Sequence, residues 1–288
     1  MARVVLVHGI LQTYKGADVE AAEWVPALLS GVRLAGGAGL LSADDIEAVF
    51  YGDLFRPPGR YLGDDDVETL DASDVPGDGE TELLLEWWRA AAAVDPAVIP
   101  PDTRSLGAAA SVQAALAALA GSRLLAGASE RLLIWLLRQV RAYFTDIEVR
   151  AAVRRRLAEV IGTDTEVVVA HSLGSVVAYE GLCANPAWPV RGLVTLGSPL
   201  GIRNVIFDRL IPAPSRVGDA WRATWPGGVR SWTNVADRLD FVALVKRLAP
   251  RFGGITDVEI NNGWKFHDVT RYLTAKETGA GIMAGLGR

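Results

Sequence analysis

The chain opens on a run from Arg3 to Val7 that is continuous and rich in β-branched residues, and the run stops at His8-Gly9. Apolar residues without alternation mark a strand covered on both faces, as in a parallel sheet. The period then changes. From Ala17 to Gly31 the apolar positions Val19, Ala22, Val25 and Leu28-Leu29 recur at helical spacing, and Asp45 to Tyr51 reads as a second strand leading into Gly52-Asp53. Together these segments make one strand-helix-strand unit.

Between Arg56 and about Asp78, Pro, Gly and Asp predominate, which predicts an exposed loop and a boundary. Four helical patterns follow, over Glu80 to Ala93, Ser105 to Gly121, Ser129 to Phe144 and Asp146 to Ile161, with Pro96, Pro100 and Pro101 breaking the first from the second. Sheet-type runs return at Glu166 to Ala170 and Gly192 to Leu196, separated by a helix over about Leu173 to Leu182. A Pro-rich stretch from Ile211 to Gly228 precedes a strand over Val229 to Val235. Val258 to Ile260 is a short last strand before a helix from about Asp268, and the Gly-rich tail after Thr278 reads as a flexible terminus. Strands alternating with helices predict an α/β fold, a mostly parallel central sheet flanked by helices. Residues 1–55 and 145–288 form the expected core, and 56–144 an inserted helical cap.

Composition narrows the class. A chain of 288 residues, half hydrophobic and 22% charged, has the balance of a compact globular protein of one large or two small domains. Its net charge of −5 gives no reason to expect nucleic acid as a partner, because that demands concentrated Lys and Arg; a small neutral or apolar substrate fits better. Cys183 is the only cysteine, so no intrachain disulfide forms and zinc-ligand spacings are absent. No metal or cofactor is expected. The apolar run at the N-terminus is too short for a signal peptide, and a cytoplasmic location follows as the expectation. Ser105 to Ser122 is uncharged, yet it is mostly Ala with Gly, Ser and Gln, so a packed or surface-lying helix is expected rather than a membrane span.

The chemistry concentrates at strand ends. The buried run Val167 to Ala170 passes directly into His171-Ser172-Leu173-Gly174 and then into a helix. A strand, a sharp turn with serine at its tip and a helix make the setting of a nucleophile elbow, in which the residues two before and two after the serine must be small. Ala170 and Gly174 meet that need. The plainer alternative is a strand-to-helix turn with Ser172 as helix cap.

A serine hydroxyl needs a base, usually a histidine oriented by a carboxylate. Of the three histidines, only His267 lies in the C-terminal segment where the order Ser, Asp, His places it. The acid belongs in the loop after the strand at Val229 to Val235, where Asp237 and Asp240 are the candidates. Asp240 is preferred because the apolar residues after it can anchor a turn that aims its carboxylate; the other is expected to be solvated or paired with Arg238. Acyl transfer also needs two backbone N–H groups facing the developing oxyanion. Leu173 supplies one and Ile10, after the first strand, the other. His8 is expected to brace that loop, and Arg154-Arg155-Arg156 to be a solvated helix face.

Val7-His8-Gly9-Ile10 and Ala170-His171-Ser172-Leu173-Gly174 resemble the lipase and esterase branch of the α/β-hydrolases, in which a first core strand ends in His-Gly and the elbow often reads Ala-His-Ser-x-Gly. Leu196-Gly197-Ser198-Pro199-Leu200 is similar to the strand after the elbow in many lipases, and Asp240-Phe241-Val242-Ala243 to the turn bearing their acid. The resemblance covers roughly residues 3–55 and 163–280 and leaves out the insert; the family's first two strands are missing, and many members place their cap later. It implies a carboxylic ester hydrolase working through an acyl-enzyme on a small-molecule or lipid-like ester. A thioesterase or acyltransferase with the same triad, and an inactive hydrolase-fold binding module, are the alternatives. The apolar residues Trp87-Trp88, Leu124-Leu125 and Leu132 to Leu137 suit either a packed helical core or an acyl channel and lid in transient contact with a membrane surface.

Overall fold

The computed structural model describes residues 2–10, 12, 15–56, 77–93, 95–101, 108–120, 130–263, 265 and 267–288. Most of the loop expected over 56–78, and the pair Leu124-Leu125, lie outside the described residues.

The strands are β1 (Val4–Val7), β2 (Ile46–Val49), β3 (Val167–His171), β4 (Gly192–Leu196), β5 (Ser215–Val217), β6 (Ala220–Arg222), β7 (Ser231–Asp237) and β8 (Thr256–Ile260). Six of them form one sheet in the order β2-β1-β3-β4-β7-β8, and every pairing in it is parallel. The fold is therefore α/β, with helices covering both faces. Register decides where chemistry can happen: Val7 pairs with Ala170, His171 with Leu196, and Leu196 with Val235. The residues just past β1, β3 and β4 are thus level along the carboxyl edge, where parallel sheets gather their ligands.

Alternate residues of each strand serve opposite layers. Val4, Leu6, Val167, Val169, Val194 and Leu196 pack with Trp24, Leu28 and Val32 of α1 (Ala17–Leu34) and with the C-terminal helices. Val5, Val7, Val168, Ala170 and Leu193 face the other way. There they meet the insert helices α2 (Gly77–Ala92), α3 (Ala108–Ala120) and α4 (Glu130–Thr145), with α5 (Ile147–Val160) and α6 (Gly174–Ala184) beneath. Leu84, Trp87, Leu116, Ile134 and Val140 from the insert belong to the same apolar cluster as the sheet residues. A buried carboxylate fastens the layers: Glu180 of α6 accepts from Tyr143 Oη of α4 (2.8 Å), from Arg150 Nε of α5 (3.0 Å) and from the Ile211 amide (3.0 Å). Among the described residues, no helix is long and apolar enough to cross a membrane.

Three expectations are corrected. The Pro-rich stretch before β7 contains an antiparallel hairpin, β5 with β6, whose exposed residues carry no buried face to reveal it. Arg156 is not merely solvated, since its guanidinium bonds Asp53 Oδ2 (3.0 Å) and the Phe50 carbonyl (3.1 Å). The glycine-rich tail is ordered: after the short helices α7 (Ala249–Phe252) and α8 (Val269–Thr274), α9 runs over Lys276–Gly285. A Cβ on Gly279 would lie 2.2 Å from the Gly31 carbonyl oxygen of α1, so glycine lets the two helix backbones meet and anchors the terminus.

Candidate active site

Ser172 follows β3 directly and has φ of 53°, in the left-handed region that costs a side-chain-bearing residue about 1–2 kcal/mol. The turn is that sharp because the chain passes from β3 to α6 within three residues. Close backbone passage explains the small neighbours. A Cβ on Gly174 would stand 2.3 Å from the His8 carbonyl oxygen, and one on Gly9 would stand 2.5 Å from Ser172 Cβ. The Ser172 amide donates to the Leu196 carbonyl (2.9 Å), but its buried hydroxyl has no hydrogen-bond partner. It does not cap α6 either; the cap position is Leu173, with no side-chain cap bond. Beneath the turn, Ser175 Oγ donates to the Ser172 carbonyl (2.6 Å), so its own oxygen is left to accept from Ser198 Oγ (2.7 Å). That tie between the β3 and β4 ends was not legible in the motif.

Of the two candidate acids, the structure brings Asp240 to His267. His267 Nδ1 lies 2.8 Å from Asp240 Oδ2, the separation of a charge-assisted bond with the ring nitrogen donating. Tyr272 Oη donates to the same oxygen at 2.6 Å, while Asp240 Oδ1 accepts from the Val242 (2.8 Å) and Ala243 (3.3 Å) amides. Burial works to raise this carboxyl's pKa, yet the charge and hydrogen bond of His267, the Tyr272 hydroxyl and nearby Lys246 outweigh it and hold it down to about 2. Asp237 is buried instead of solvated. Its carboxylate accepts from the Leu239 amide (2.7 Å) and the Asn262 amide, shaping the chain around the site.

His171 joins this pair to the elbow. Its ring centroid is 4.5 Å from that of His267, with Tyr272 at 5.9 Å and the edge of Trp24 at 6.3 Å. Burial first, then the proximity of His267, push its pKa well down, so it stands as a neutral imidazole behind the His267 ring. No hydrogen bond joins Ser172 Oγ to His267 in this structure, and such contacts commonly tighten only when substrate is bound.

Ile10, Ser172 and Leu173 line one pocket with Pro199, Ile206 and Val242 of the core and Trp87 and Val140 of the insert. Apart from Ser172 the lining is apolar. Its free space is about 10 Å³, roughly that of one water. Among the described residues, neither the Ile10 nor the Leu173 amide is bonded to a protein acceptor.

The loop bearing Ile10 is held from below. Tyr51 stacks on His8 with ring centroids 3.8 Å apart, donates its amide to His8 Nε2 (2.9 Å) and its hydroxyl to the His8 carbonyl, while His8 Nδ1 donates to the Gly9 carbonyl (2.5 Å). Burial lowers His8 to a pKa of about 4, so it stands as a neutral brace.

Sequence reasoning singled out Ser172, His267 and Asp240, of which the structure brings the last two into contact, and it missed Tyr51 and Tyr272, whose contacts span the fold. Among the described residues, no group of three or more His, Cys, Asp or Glu stands together as a metal site. Among the described residues, the arrangement is that of a hydroxyl and two unbonded amides around one apolar pocket, with an imidazole–carboxylate pair joined to the elbow through His171. No family model, no curated protein and no solved structure matches the chain.

Proposed function

We propose that the protein is a serine hydrolase of the α/β-hydrolase type that cleaves carboxylic esters with an apolar acyl group. The observation that carries this reading is the buried, unpartnered Ser172 hydroxyl in a left-handed turn, sharing its pocket with two unbonded amides and packed through His171 against the His267–Asp240 pair. Ser172 Oγ attacks the ester carbonyl as His267 Nε2 takes its proton. Asp240, bonded to Nδ1, stabilises the imidazolium that results. The Ile10 and Leu173 N–H groups receive the oxyanion, each contributing about 3 kcal/mol to the transition state. His267 returns the proton to the departing alcohol, and water then resolves the acyl-enzyme by the same route.

The pocket's apolar lining selects an uncharged acyl chain, because burying a charge there would go uncompensated. Its small free volume means that Trp87 and Val140 of the insert must move aside before an acyl chain fits. The test is labelling with a fluorophosphonate, followed by hydrolysis of p-nitrophenyl esters of graded chain length. Modification at Ser172, and loss of hydrolysis in a folded Ser172→Ala variant, are expected; undiminished turnover by that variant overturns the reading.

A further inference from the structure

We infer that Tyr272 is a positioning residue for the acid–base pair, its hydroxyl holding Asp240 in the orientation that serves His267. The inference rests on the proposed Ser172–His267–Asp240 reading. Tyr272 is wholly buried in α8, the helix that begins just after His267, and its hydroxyl lies 2.6 Å from Asp240 Oδ2 and 2.7 Å from the Asp237 amide nitrogen. The direction of both bonds is forced. An amide N–H only donates, so the hydroxyl accepts from Asp237, and its single proton is left for Asp240. Burial, followed by the charge of Asp240, raises the phenol's pKa well above its ordinary value and keeps that proton in place.

The consequence is mechanical as well as electrostatic. Asp240 lies beyond the end of β7 and His267 in the loop before α8, so their meeting depends on two independent loops. Asp268 caps α8 through the Thr270 (3.0 Å) and Arg271 (3.2 Å) amides, fixing the helix on which Tyr272 rides. The tyrosine then reaches back and joins that helix to both aspartates of the acid loop. Around Asp240 the titratable or charged groups are His267 and Tyr272, Asp237 at the end of β7, Lys246, whose ammonium bonds the Asp240 carbonyl (2.6 Å), and His171 behind His267. Of these only Tyr272 shares Oδ2 with the imidazole. Removing its proton donor concentrates the carboxylate charge on His267 and favours the protonated ring.

The experiment compares wild type, Tyr272→Phe and a form carrying 3-fluorotyrosine at 272, whose hydroxyl is the stronger donor. The readouts are p-nitrophenyl acetate hydrolysis across pH and fluorophosphonate labelling. For the phenylalanine variant kcat falls about tenfold with KM little changed, and the low-pH limb of kcat/KM moves up by about half a unit. The fluorinated protein moves that limb the other way. Circular dichroism checks the fold, and should the phenylalanine variant not fold, the fluorinated one decides alone. A wild type labelled at Ser172 whose low-pH limb is indifferent to both changes overturns the inference and leaves the reading standing. A wild type that neither labels nor hydrolyses ester overturns both.

Discussion

Gly197 offers the sharpest perturbation, because one methyl group there strikes both members of the proposed acid–base pair, Asp240 and His267. The residue sits at the end of β4 with φ of 53°, and a Cβ would lie 2.6 Å from Asp240 Oδ2, 3.1 Å from His267 Nδ1 and 3.1 Å from Tyr272 Cε2. To regain van der Waals contact the carboxylate oxygen must retreat by about 0.8 Å. The His267–Asp240 bond, 2.8 Å in the native protein, is then stretched or turned. Misplacement on this scale costs catalysis about a hundredfold. The left-handed backbone adds a stability cost of about 1–2 kcal/mol. Gly218, in the β5–β6 hairpin, supplies the control, since its φ is 62° and nothing lies within 4 Å of its added Cβ. Gly197→Ala and Gly218→Ala therefore share the backbone strain and differ in the contact. Measured as kcat/KM on p-nitrophenyl butyrate alongside thermal melting, both variants lose a few degrees and only Gly197→Ala loses activity. Wild-type turnover by a folded Gly197→Ala protein would refute the argument.

Two further outcomes follow. Asp240→Asn should lower kcat/KM at least a hundredfold, whereas Asp237→Asn, altering a carboxylate that bonds only main-chain amides, should cost less than about tenfold while lowering the melting temperature; equal losses would mean the acid has been misassigned. Glu20 is buried with neither carboxylate oxygen bonded, and burial, opposed by Lys15 and aided by Glu23, raises its pKa to about 8 from an ordinary 4.5. Between those values the folded protein keeps a proton that the unfolded chain releases, so this group makes stability fall as pH rises from 4.5 to 8. Melting of Glu20→Gln should accordingly be less sensitive to pH across that window. His8, lowered to about 4, acts in the opposite sense below its unfolded value and is common to both proteins, so it cancels in the comparison; parallel melting curves for the two would contradict the burial argument.

What the sequence discloses follows from how local each signal is. The strands at Val4–Val7 and Val167–His171 were legible because burial on both faces writes an unbroken apolar run. Ser172 was legible because a sharp strand-to-helix turn needs small residues at fixed offsets. Asp240 and Asp237 could only be ranked, since which carboxylate meets His267 depends on how two segments distant in the chain come together. The tail misled for a similar reason. Glycines there depress helix propensity in isolation, and only their contacts with α1 and the sheet explain why a helix forms. Tyr51 and Tyr272 carry no mark in the chain at all; each is defined by a partner distant in sequence.

The carboxylate of Glu180 has a bearing on access to the pocket. Tyr143, Arg150 and the Ile211 amide converge on it from three separate elements, and the Glu180 side chain is fully buried. Withdrawing Tyr143 would take away one of the two donors to Glu180 Oε2 and leave only Arg150 Nε there, a loss of about 1.5–3 kcal/mol for a bond to a charged group. The C-terminal end of α4 is thus tied to the core, so any opening of the proposed pocket would fall to Trp87 of α2 more than to Val140, one turn before Tyr143.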